Sequence, residues 1–126
     1  MPLPTGDWNF NINGYESQMH LNPPNQSGEL TVVLGNGNSF DGYWDESSQT
    51  LTFSLTLDND RIGKPVVGLF KGHLFRTPTN AAPGQDVTAT VAGSVQVTTG
   101  PHQNPALQAT SRRNVFGWVA RIAEIN

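Results

Sequence analysis

The sequence predicts an all-β protein, an eight-stranded antiparallel up-and-down β-barrel forming one domain over residues 1–126, on three observations. Turn residues punctuate the whole chain, with 13 Gly and 9 Pro. Thr, Val and aromatic residues crowd the segments between them, which suits a pleated, half-buried backbone. Within those segments apolar and polar residues alternate, and no stretch sustains the apolar period of an amphipathic helix. Eight strands are about the number that closes into a barrel without exposed edges, and short loops between neighbours favour a meander.

The strands follow in order. Trp8, Phe10 and Ile12 face one way and Asp7, Asn9 and Asn11 the other, and Asn13-Gly14 then supplies a hairpin turn. Tyr15, Ser17, Met19 and Leu21 alternate with Glu16, Gln18 and His20 until Asn22-Pro23-Pro24-Asn25, where proline removes ladder donors. A third strand is expected over Glu29 to Leu34, and Gly35-Asn36-Gly37-Asn38 returns the chain into a fourth, Ser39 to Asp45, with Phe40 and Trp44 on one face. Leu51, Phe53, Leu55 and Leu57 mark the inner face of the fifth, and Asp58 to Pro65 reads as polar loop. Val66 to Phe75 is apolar on nearly both faces, Asp86 to Thr98 places Val87, Val91, Val95 and Val97 on one side, and Val115 to Ala123 closes the barrel. Arg121 on this last strand is expected to cover the Trp8 indole and cap one barrel end.

Bulk properties exclude several functions. Seven Lys plus Arg against ten Asp plus Glu, a net charge of -3, give no footprint for phosphate backbones, so no nucleic-acid partner is expected. No cysteine is present, which removes disulfides, thiolate chemistry and Cys-ligated zinc. No segment reaches the roughly 20 apolar residues of a membrane helix, and no membrane partner is expected. The start, MPLPTGDW, lacks the layout of a secretory signal, which leaves both cytoplasm and secretion after leader removal open. Asn25-Gln26-Ser27 matches a glycosylation acceptor, a triplet that also arises by chance.

In its order of strands and motifs the chain resembles the avidin/streptavidin-type barrels of the lipocalin-like group. The likeness rests on GDW at Gly6 to Trp8, GELT at Gly28 to Thr31 and FKGHL at Phe70 to Leu74. It rests above all on LQATSRRNVFGWVARI at Leu107 to Ile122, similar to the family's closing run with two extra residues. The resemblance implies a small-molecule-binding barrel whose late strands make subunit contacts. Carried over by position, the family's polar biotin ligands meet Phe10, Gly14 (with Ser17 the nearest hydroxyl), Leu34, Asn36, Val66, Gly68 and Asn114 or Gly117. Its ligand-packing tryptophans meet Leu57, Phe70 and Leu107. A ureido group would leave several buried polar atoms unmatched at ~1–3 kcal/mol each, so the resemblance implies the barrel without tight biotin binding.

Tyr15, Ser17, Asn36, Trp44, Phe70 and Trp118 are the candidate ligand contacts, with an unidentified, largely apolar small molecule as the expected partner. The inward aromatics either line a cavity or fill the interior, and the alternation leaves both open. His20, His73 and His102 lack metal-site spacing; DNDRIG at Asp58 to Gly63 lacks the later ligands of a calcium loop; no metal or cofactor is expected. Asp41 and Asp45 share an outward face, where both stay solvated rather than forming an acid–base pair. Thr99 to Asn114 is long for a connection and lies either over the barrel mouth or on the surface. With no nucleophile–base pair assembled, no enzymatic activity is expected. The choice lies between a binding protein and a filled, self-associating or protein-docking scaffold. Val67, Leu69, Phe75, Val115 and Val119 on the second face of the late strands predict a homo-oligomer, dimer or tetramer.

Overall fold

A computed structural model describes residues 2–12, 14–35, 37–59, 64–99 and 112–125. It is all-β and closes as an antiparallel barrel in strand order β1 to β8, each strand pairing with its neighbours in sequence and β8 returning to β1. The strands are β1 (Gly6–Ile12), β2 (Tyr15–Leu21), β3 (Glu29–Leu34), β4 (Ser39–Asp45), β5 (Thr50–Asn59), β6 (Lys64–Thr77), β7 (Asp86–Thr99) and β8 (Arg112–Ile125). Closure leaves no free sheet edge running the length of the barrel, which is how an all-β chain of this size avoids edge pairing with other molecules.

The expected strands all form, and β2, β3 and β4 start and stop where alternation places them. The later strands run further. Asp58, Asn59, Lys64 and Pro65, expected as loop, continue the β5–β6 ladder through Asp58↔Pro65 and Asn59↔Lys64. Thr99 and Arg112 likewise pair as the last rung of β7–β8. Polar side chains ended the pattern in sequence, but a ladder propagates through backbone groups and needs no apolar face. Of the expected loop Thr99 to Asn114, residues 99 and 112–114 belong to strands, and residues 100–111, with His102 and Leu107, lie outside the described residues, as do Asn36 and the 60–63 part of DNDRIG.

The barrel has two unlike ends. At one end, here the mouth, stand the β1–β2 and β3–β4 turns. Ile12 pairs with Tyr15 across the first turn, and Gly14, at φ +85°, donates its N–H to Asn11 Oδ1 at 3.0 Å. Asn13 falls outside the described residues. At the other end, the base, the chain before β1 folds in as a plug: Leu3 is buried in the core, and the Trp8 indole N–H donates to the Pro4 carbonyl at 3.2 Å. Arg76, on the face of β6 that carries Leu74, holds this segment, donating to the Pro2 carbonyl at 3.0 Å and pairing with Glu124.

Arg121 does not cap Trp8. Because Phe116, Trp118, Ala120 and Ile122 point inward, strand alternation sends Arg121 outward, where it stands opposite Asn9 and is exposed. The arginine that secures the base is Arg76, on β6. Asp41 and Asp45 do share the outer face, with Tyr43 between them. The Asp45 carboxyl is held below the usual carboxylate range by hydrogen bonds from Ser47 and Ser48, the opposite of what acid catalysis needs.

The outward apolar residues are less contiguous than the sequence suggests. Leu69 and Val115 flank Gln96 in one rung, with Val67 close by, whereas Phe75 lies in the Thr90–Arg121 rung beyond Lys71 and His73. Two patches result, one near the mouth and one near the base.

Candidate ligand site at the barrel mouth

The interior is blocked at mid-height by four rings. Phe53 and Phe70 come from adjacent strands in register and stack with centroids 4.4 Å apart at 7°. Trp118 meets both edge-on at 5.7 Å, and Phe10 lies 5.8 Å from Trp118 and 6.0 Å from Phe70. Such offset and edge-to-face geometries are the favoured ones for aromatic pairs. The indole lies across two strands because glycines make room for it. A Cβ on Gly72 would stand 2.6 Å from the Trp118 ring, and the indole N–H donates to the carbonyls of Ser94 at 3.0 Å and Lys71 at 3.3 Å.

Above this floor a concavity of about 340 Å³ opens, lined by Phe10, Ile12, Leu34, Leu55 and Phe70 with Tyr15, Ser17 and Gly35 at its rim. Its shape follows from the strand lengths. The β2–β3 ladder runs only from Met19↔Leu34 to Leu21↔Val32, so β2 continues toward the mouth after β3 has turned away. Gly35 passes close against Ser17: a Cβ there would lie 2.6 Å from the hydroxyl, so a side chain at this position would require Ser17 to turn away. On the opposite side β5 to β8 stand taller, and Leu55, Val97 and Phe116 extend the apolar lining from the core upward.

Of the six candidate contacts, Tyr15, Ser17 and Phe70 meet around this concavity, and Trp118 lies beneath it in the floor. Trp44 does not join them. It is buried near the base, and its indole N–H donates to Glu46 Oε2 at 2.6 Å. Asn36 falls outside the described residues. The reading from sequence passed over Ile12, Leu34, Gly35 and Leu55 as lining residues, although Ile12 and Leu34 are each the last inward residue before a mouth turn. That position was the available signal.

The polar side chains at the described rim are the Ser17 and Tyr15 hydroxyls. They can donate and accept hydrogen bonds but form no acid–base pair. His20 and His73 lie elsewhere, bonded to Asp7 at 2.7 Å and Thr50 at 3.2 Å, and no group of three or more metal-ligating side chains occurs among the described residues. The Asn25 side chain caps its own loop, accepting from the N–H groups of Ser27 and Glu29 at 2.9 Å each. Among the described residues no helix is long and apolar enough to cross a membrane. Comparisons with protein-family models, curated proteins and solved structures give no match to this chain.

Proposed function

We propose that this protein is a non-catalytic binding barrel that seats one small, largely apolar molecule in its mouth, on the Phe10–Phe70 floor. The observation that carries the proposal is the mouth concavity itself. It has an apolar wall, two hydroxyls at the rim and a volume of about 340 Å³, toward the lower end of the range for small-molecule pockets. The resemblance to avidin-type barrels supports the same reading of the mouth, with a different ligand. Phe10 and Leu34 stand in the lining where polar groups would have to meet a ureido ring. Biotin therefore binds weakly or not at all.

A thermal-shift screen against a panel of small apolar metabolites tests the proposal, since a ligand selective for the native state raises the melting temperature by mass action. A shift that disappears when Leu34→Trp fills the mouth supports it. A shift that survives the substitution, or no shift across the panel, argues for the filled-scaffold alternative.

Self-association belongs to the same proposal. Leu69 and Val115 are 54% and 62% exposed on either side of Gln96, an unusual display for side chains of their size in a closed barrel. A second copy covering this patch accounts for it.

A further inference from the structure

A concavity larger than the mouth's is found elsewhere among the described residues. It lies on the outer wall where β8, β1 and β2 run side by side, with a volume of about 560 Å³. Two consecutive outward rungs build it: Arg121, Asn9 and Gln18 in one, Val119, Asn11 and Glu16 in the next. Five of these six side chains end in a planar amide, carboxylate or guanidinium, each able to engage two hydrogen-bonding atoms at once.

Their partners distinguish this wall from an ordinary solvated face. In the adjoining rung Asp7 and His20 satisfy each other at 2.7 Å. Asn11 uses one side-chain oxygen to hold the N–H of Gly14. Among the described residues, no hydrogen bond or ion pair engages the side chains of Asn9, Glu16, Gln18 or Arg121, although a cation and an anion stand on either side of β1. The strands space these groups about 4.8 Å apart across the sheet and about 6.8 Å along it for successive outward residues.

We propose that this wall is a second binding site, for a short neutral saccharide. One arginine and one glutamate cancel, which disfavours a phosphate, a polyanion or a polycation. Of the two apolar residues in the lining, Phe10 is buried in the core, and Val119 alone gives a peptide no pocket in which to anchor. A polyol remains as the fitting ligand: its hydroxyls donate and accept in closely spaced pairs, as the amides, carboxylate and guanidinium do in reverse. The volume accommodates about two sugar rings. Phe10 and Ser17 border both this concavity and the mouth, but the side chains that would bind the sugar, Asn9 and Gln18, face the opposite side of the wall from Phe10 and Met19.

Amide-resolved NMR with lactose, maltose and chitobiose, each at about 10 mM to detect millimolar binding, is the test. At least one sugar should shift the side-chain NH₂ signals of Asn9 and Gln18 saturably. The exposed substitutions Asn9→Ala and Gln18→Ala, whose folding is checked by melting, should each weaken binding several-fold. The rim substitution Tyr15→Ala should leave it unchanged. Unshifted side-chain signals with all three sugars, shifts confined to the mouth, or binding indifferent to Asn9→Ala and Gln18→Ala would overturn the proposal.

Discussion

Gly72 and Trp118 show how one residue's missing side chain sets the height of the barrel's floor. A Cβ at position 72 would come within 2.6 Å of the indole and 2.7 Å of Val91, so Gly72→Ala must displace the ring. Overpacking of this kind costs typically ~1–3 kcal/mol, and the denaturation midpoint should fall accordingly. Trp118→Phe keeps an aromatic ring but leaves the Ser94 and Lys71 carbonyls without that donor. It should also destabilise, by about 1–3 kcal/mol from the lost bonds, read in the same urea titration. The inward direction of Trp118 was legible from its alternation with Val115 and Val119. Its glycine berth was not, because Gly72 and Trp118 are neighbours only across β7, and nothing local in sequence brings them together.

At the scale of the element, alternation located every strand, and it failed where it was not carried to its consequence. Arg121 stands one residue from Ala120 and Ile122, both inward, so its outward direction was already implied by the pattern that identified β8. Trp44 is similar. β2 and β4 run the same way round an up-and-down barrel, so Tyr15 at the start of one and Trp44 near the end of the other cannot share a mouth. The lengths of β6 to β8 were less accessible, since their outer rungs are held by backbone pairing between polar residues. One turn carries a pH prediction. Ser47 donates to Asp45 through its N–H at 3.0 Å and its hydroxyl at 2.7 Å, and with Ser48 it lowers the carboxyl's pKa. A depressed carboxylate pKa favours the folded state above the unfolded value, near 4, and that preference fades as pH falls through the folded value. The Ser47 amide should therefore exchange faster, relative to a neighbouring turn with no carboxylate, once the pH drops below that window. Asp45→Asn should abolish the difference.

For the whole molecule, unequal strand lengths separate a packed lower barrel from an apolar mouth, and the proposed self-association would use the two outer patches of β6–β8. Light scattering at micromolar concentration should return a multiple of the 13.6 kDa chain mass, and Leu69→Lys with Val115→Lys should return the monomer. A monomer mass for the unaltered protein would remove self-association from the account. Methyl-resolved NMR with benzene as a probe reads the division of the interior into a packed base and an open apolar mouth. Small apolar cavities take up benzene, and its ring current shifts the methyl groups beside it. Shifts should appear at Ile12, Leu34 and Leu55 above the rings of Phe10, Phe53, Phe70 and Trp118, while Leu21, Leu30 and Leu51 in the buried core stay unmoved. Shifts at the buried leucines, or none at the mouth, would contradict it.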